Sequence, residues 1–196
     1  MHDSLMKFFN SITFIFILFL VRSTGYAQGY VWFANVTQDL TIEKPIEDIF
    51  TGEGLTSSHV AQLFAGPDGS PSSALCPVDA PVQFLDGAGF AGLFLGPLVQ
   101  IPGIPPGETG TFEVRVWQVI FSTWDQAYAH ARVESFPRLA RSGPFAMKTG
   151  DQLTPTEVAV AMPRFALAII PEPSPVSLAG LGVAGIGFTL FTRRTR

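Results

Sequence analysis

Apolar and polar residues alternate most cleanly in TFEVRVWQVIF, Thr111 to Phe121, where Phe112, Val114 and Val116 interleave with Glu113, Arg115 and Trp117. A period of two predicts a strand with one face buried and the other at least partly wet. Similar runs, rich in β-branched and aromatic residues, recur between turn clusters from Gly29 onward: YVWFANVTQDLTI, HVAQLFAG, PVQFLDG, AGLFLGPLVQI, GPFAMKTG and EVAVAMPRFALAII. Pro97 and Pro163 predict that their segments are split or lie at sheet edges, because proline cannot donate to a ladder. One stretch breaks the pattern. In STWDQAYAHARVES, Thr123 followed three residues later by Gln126 offers a capping-box start, and alanines carry a helix to about Val133. Many short strands with one short helix predict a mainly β chain whose body, residues 28–170, is a single β-sandwich.

The two ends follow a different rule. MHDSLMKFFNSITFIFILFLVRSTGYAQG opens with a weakly basic region ending at Lys7 and then runs apolar from Phe8 to Val21. Those 14 residues suffice for a signal-peptide core but fall short of the roughly 20 that a spanning helix needs. Gly25 and Ala27 put small side chains at the two positions a signal peptidase inspects, so residues 1–27 read as a signal peptide cleaved between Ala27 and Gln28. An uncleaved anchor is the alternative. At the other end, Val176 to Thr192 is an uncharged run of 17 residues, about 25 Å long as a helix, and it predicts a transmembrane helix over 176–192. Arg193, Arg194 and Arg196 form a basic tail over 193–196, a stop-transfer signal that belongs in the cytoplasm and leaves everything before Pro171 outside. A permanent tail anchor is the alternative to a removable one.

Pro171, Glu172 and Pro173, then a short Gly/Leu/Ala-rich span, then an arginine cluster resemble the PEP-CTERM sorting signal of Gram-negative bacteria that make extracellular polysaccharide. The resemblance covers residues 171–196. It implies that an exosortase, a membrane-embedded cysteine transpeptidase, recognises the tripeptide, cuts near it, and releases or transfers the passenger to the cell surface. Proline on both sides of Glu172 keeps that site extended and free of helix, as a protease-like enzyme requires. The series AQLFAGPDGS, a Gly-rich strand and IPGIPPGETGTFEVRVW also resembles an uncharacterised passenger of other PEP-CTERM proteins, which implies a fold and no chemistry.

Composition changes this picture little, and charge somewhat more. Hydrophobic residues make up 47% of the 196 and charged ones only 14%, but the apolar excess is partly concentrated at the ends, leaving a body large enough for one core. From Gln28 to Val114 a single cation, Lys44, faces ten Asp and Glu, whereas Arg115 to Ile170 carries a net charge of +2. A polyanion would meet no basic face in the first half, so nucleic acid is not an expected partner.

Candidate chemistry is sparse. Gly87, Gly89 and Gly92 match the G-x-G-x-x-G dinucleotide fingerprint, but a proline follows where the helix should run, and a turn or bulge is the competing reading. Pro67-Asp68-Gly69 has tight-turn residues and one carboxylate, too few for calcium. The stretch with Glu43, Glu47, Asp48 and Glu53 is a better place for that ion, or else a solvated loop. His59 and His130 are the histidines of the body, and a triad built from His130, Asp125 and a serine lacks a nucleophile elbow. Cys76, the sole cysteine, has no partner within the chain for a disulfide and is expected to be a small buried or loop residue, or to bridge two chains. Asn35-Val36-Thr37 has the form of a glycosylation sequon. Trp32, Trp117 and Trp124 could form an aromatic platform for sugars or pack in the core.

The expected function is thus an exported, non-enzymatic cell-surface or extracellular-matrix protein with no cofactor and no metal. Signal peptidase and exosortase are its processing partners, the inner membrane holds it transiently with the domain in the periplasm, and extracellular polysaccharide is its final surrounding. A carbohydrate-binding module and a hydrolase with an unrecognised site are the alternatives.

Overall fold

The computed structural model describes residues 28–132 and 139–168. Ala27, the tripeptide Pro171, Glu172 and Pro173, the run 176–192, and Arg193, Arg194 and Arg196 lie outside the described residues. Gln28 lies inside them, half-buried and directly ahead of the first strand. Among the described residues no helix is long and apolar enough to cross a membrane.

The described chain is mainly β. Its strands are β1 (Gly29–Ala34), β2 (His59–Pro67), β3 (Cys76–Pro77), β4 (Val82–Gln83), β5 (Leu95–Ile101), β6 (Thr109–Gln118), β7 (Ala140–Arg141), β8 (Phe145–Lys148) and β9 (Thr156–Glu157). They form a three-stranded sheet in the order β5-β1-β9 and a six-stranded sheet built on β2 and β6, with β3 and β4 on the free side of β2 and β7 and β8 on that of β6. The backbone of the larger sheet is the antiparallel β2–β6 pair, in unbroken register from His59↔Gln118 to Pro67↔Gly110. In the smaller sheet β5 runs antiparallel to β1, and its register shifts by one between Trp32 and Ala34. Pro97 lies in β5, an edge strand, where its missing N–H leaves no ladder bond unmade.

One apolar cluster is shared by both sheets: Val31 and Phe33 of β1 and Val99 and Ile101 of β5 meet Ala61 and Leu63 of β2 and Phe112, Val114 and Val116 of β6. Period-two patterning explains this, since each of these strands sends alternate side chains to the same face.

Three expectations need correction. The strand β6 is buried on both faces, with Glu113 and Trp117 fully enclosed and Arg115 nearly so. The second face is covered because the helix α1 (Trp124–Ala131) folds back over it, and Trp117, Trp124, Ala127 and Ala131 form a second apolar cluster with Val60, Phe64 and Leu75. The helix itself starts as the capping residues indicate: the Thr123 hydroxyl accepts the Gln126 N–H at 3.3 Å. Second, there are two described α-helices rather than one, together with a 3₁₀ turn at Ser72–Ala74. The additional helix, α2 (Val158–Ala161), takes up part of EVAVAMPRFALAII, which the apolar pattern marks as a strand. Val158, Ala159 and Met162 are buried, a spacing that suits one helical turn, and the Lys44 ammonium donates to the carbonyls of Val160 and Met162 at its C-terminal end. Third, Cys76 is neither buried nor in a loop but exposed on β3, opposite Ala65.

Candidate functional site

The most concentrated chemistry in the described chain lies on the outer face of the larger sheet, under α1. Glu113 and Arg115, two residues apart on β6, point to the same side, and β7 brings Arg141 opposite Arg115. Glu113 Oε1 accepts from Arg115 Nε at 3.3 Å and from Arg141 Nε; Oε2 accepts from Arg141 Nη2 at 3.2 Å and from the Ser72 hydroxyl. Arg115 also donates from Nη2 to the Ser72 carbonyl at 2.7 Å. Its guanidinium lies 3.9 Å from the Phe64 ring centroid and 5.4 Å from that of Trp124. Arg141 is the member that meets solvent, its side chain 39% exposed and its guanidinium 6.0 Å from Trp124.

Burial alone would raise the Glu113 carboxyl, but hydrogen bonds from Arg141 and Ser72 and the charges of Arg115 and Arg141 outweigh it and hold the group below its ordinary value. Burial lowers Arg115 from its ordinary value against the pull of Glu113, whereas the hydrogen bond to Glu113 raises Arg141. Both carboxylate oxygens are already engaged, and the group stays ionised at neutral pH. It can therefore neither donate a proton nor accept one from a substrate without breaking the network. The arrangement is a clamp that ties the 3₁₀ turn, β6 and β7 together beneath α1.

A second clamp works at the end of the smaller sheet. The fully buried Asn35 donates from Nδ2 to Lys44 O at 2.9 Å and to Gly92 O at 2.7 Å, and its Oδ1 accepts the Phe94 N–H at 2.8 Å. An amide used in this way is closed to glycosylation in the folded chain.

The remaining sequence candidates are dispersed. Gly87, Gly89 and Gly92 all have positive φ, in a turn followed by an edge strand rather than a helix. A Cβ on Gly92 would come within 2.9 Å of the Ile46 carbonyl, so this glycine serves close backbone packing. Pro67-Asp68-Gly69 is a tight turn closed by Ser70 N–H to Pro67 O at 3.1 Å. His59 opens β2 with Nδ1 3.0 Å from the Ser58 hydroxyl, and His130 lies exposed on α1 with its ring 5.1 Å from Phe121. Asp125 is an exposed helix residue that contributes to the field at Arg115. Cys76 pairs near the far end of β2 from His59. Among the described residues no group of three His, Cys, Asp or Glu side chains is placed to hold a metal, the acidic stretch of Glu43, Glu47, Asp48 and Glu53 included. Trp117 and Trp124 are buried edge-to-face at 6.1 Å, and only Trp32 is half-exposed, so the three make no platform. A shallow cleft of about 280 Å³, lined by Pro45, Glu47, Arg164, Phe165 and Ala166, lies at the lower edge of the ~300–1,000 Å³ of ligand pockets.

Neither the Glu113 network nor the Asn35 clamp was singled out by sequence motifs. The signal for the first was an acid and a base at i and i+2 of one strand, which share a face. Set against protein-family models, curated proteins and solved structures, the chain matches none.

Proposed function

We propose that the chain is an exported, non-enzymatic protein of the cell surface or extracellular matrix. A β-sandwich body is carried on a membrane handle that an exosortase removes. The observation that carries this reading is the order of Pro171-Glu172-Pro173, an uncharged run and Arg193, Arg194 and Arg196, directly after the last described strand pairing at Leu167 and Ala168.

Signal peptidase acts first in this scheme, between Ala27 and Gln28. The apolar run then holds the body in the periplasm at the inner membrane until the tripeptide is cut, after which the body resides among extracellular polysaccharide. Cell fractionation of an exosortase-positive host and its exosortase deletion tests this. A shortened form outside the cytoplasmic membrane in the first and a membrane-bound, longer form in the second are expected. A body found in the cytosol of either strain contradicts it.

A further inference from the structure

The smaller sheet meets the core with one face. Val31 and Phe33 of β1 and Val99 and Ile101 of β5 point inward and are buried. The register sets Tyr30 opposite Gln100 and Trp32 opposite Leu98, with Glu157 of β9 on the other side of Trp32. Residues opposite one another on neighbouring strands share a face, so these five side chains stand together on the outward side of the sheet. Tyr30 and Trp32 are half-buried there and Gln100 is exposed. Neither aromatic belongs to either apolar cluster. Among the described residues, the Trp32 indole, the Tyr30 phenol and the Gln100 amide make no side-chain hydrogen bond, and neither ring meets another.

The rings are also held still. β1 lies between β5 and β9, and Tyr30 exchanges backbone bonds of 2.9 and 3.0 Å with Gly150, so the strand is fixed along both edges before any ligand arrives. Two residues along a strand separate the two aromatics by about 6.4–6.8 Å at the backbone, enough for each to carry its own unit of a polymer.

We infer that Tyr30, Trp32, Gln100 and Glu157 form a binding face for an uncharged polysaccharide, laid along β1 with successive sugar units over the two rings. The mixed chemistry of the face selects this occupant. A pyranose presents C–H groups on its face and hydroxyls at its rim. The first cover an aromatic ring; the second reach the Trp32 Nε1–H, the Tyr30 hydroxyl, the Gln100 amide and Glu157 Oε2, whose companion Oε1 already accepts the Gln38 N–H at 3.0 Å. A purely apolar occupant would bury those polar atoms without partners. Glu157 is the one charged side chain on β1, β5 and β9, so a polymer of uronic acids or phosphates meets repulsion and no cation. This deepens the reading of the body as resident among extracellular polysaccharide and rests on it for where the ligand is met.

The test runs the full chain, in a polyoxyethylene detergent, through native gels containing hydroxyethylcellulose, dextran or galactomannan as uncharged probes and alginate as an anionic one. Retarded migration in at least one uncharged gel and none in alginate is expected. Trp32→Ala and Tyr30→Ala should each weaken binding by about tenfold. Gln100→Ala, at an exposed position, should weaken it by about three- to tenfold, and it decides the matter if either aromatic variant fails to fold. Trp117 and Trp124 are buried, so protection of tryptophan emission from acrylamide on adding the bound polysaccharide reports Trp32. Retardation by no uncharged probe, retardation by alginate alone, or retardation that every folded variant keeps overturns the proposal. So does protection of Trp32 that grows with protein concentration when no polysaccharide is present, which would make the face an interface between copies of this chain. None of these outcomes touches the removal of residues 171–196, so binding and sorting fail separately.

Discussion

Arg115 sits over Phe64, its guanidinium carbon 3.9 Å from the ring centroid, on the strand pair that forms the backbone of the larger sheet. The contact is possible because Phe64 pairs directly with Glu113, two residues before Arg115, so acid, base and ring share one face. The ring shields the ion pair from water, and the ion pair fills a face that would otherwise need an apolar side chain. Removing one partner should therefore cost far more than replacing the set. Glu113→Ala leaves the buried Arg115 without its carboxylate and facing the exposed Arg141, and is expected to lower stability by about 3 kcal/mol in chemical denaturation. The combined change of Glu113, Arg115 and Arg141 to Met, Leu and Leu should recover most of that loss. A triple variant no more stable than Glu113→Ala would show that the network is worth more than its bulk.

The same carboxylate makes folding sensitive to acid. Its native value lies below the ordinary one, so over the interval between them the unfolded chain binds a proton that the folded chain does not, and stability rises with pH. Asp39, held low chiefly by the Thr37 hydroxyl, Asp86, held low by Ser57, and Asp151, held low by Thr154, act in the same direction. Stability is thus fully present above about pH 4–5 and is lost as pH falls through the native values. Thermal melts across pH 3 to 7 should show a shallower acid slope for Glu113→Gln than for the native chain. Equal slopes would mean that Glu113 is not held low.

Asn35 joins three backbone segments through its one amide. Asn35→Ala strands the Lys44 carbonyl and the Phe94 N–H and leaves the Gly92 carbonyl with the Ile46 N–H alone, and a loss of about 2–3 kcal/mol is expected by chemical denaturation. Asn35→Asp should be worse at neutral pH, since a carboxylate would face two carbonyl oxygens that need a donor. A change under about 0.5 kcal/mol, the range of a neutral surface substitution, would contradict the clamp.

Leu40 has φ of 58°, a left-handed conformation that a leucine adopts at a cost, and its side chain is 68% exposed. The turn is imposed by its neighbours: Thr37 N–H reaches Ile42 O at 2.9 Å, and Asp39 Oδ1 accepts from the Thr41 N–H at 3.1 Å. Leu40→Asn should therefore stabilise the body by about 0.5–1 kcal/mol, seen as a raised Tm. An unchanged or lowered Tm would mean that the exposed leucine has packing of its own to lose.

The strands were legible where the alternation was strong, as in β2, β5 and β6, and the one capped helix was legible from Thr123 and Gln126. The burial of both faces of β6 was not, because Glu113 and Arg115 look wet in a one-dimensional pattern. Only the fold places α1 over them and Arg141 beside them. The failure at Val158–Ala161 has another cause: four alternating Val and Ala fit a strand or a single helical turn equally well, and the choice fell to Lys44, distant in sequence, capping the helical form. The clamp at Asn35 left no pattern at all, since its partners are backbone atoms of Lys44, Gly92 and Phe94. Residues 171–196 lie outside the described residues, so the proposal that they are a sorting tail rests on residue order alone.

The central claim is that residues 171–196 are a removable handle on an exported body, and the most direct measurement is the intact mass of the protein recovered from an exosortase-positive host. The account predicts a polypeptide that begins at Gln28 and ends at or beside Pro171-Glu172-Pro173, and a longer one, ending at Arg196, when Glu172 is changed to Ala. Recovery of the native chain with Arg196 still in place, in a host that processes its other tripeptide-bearing proteins, would contradict it.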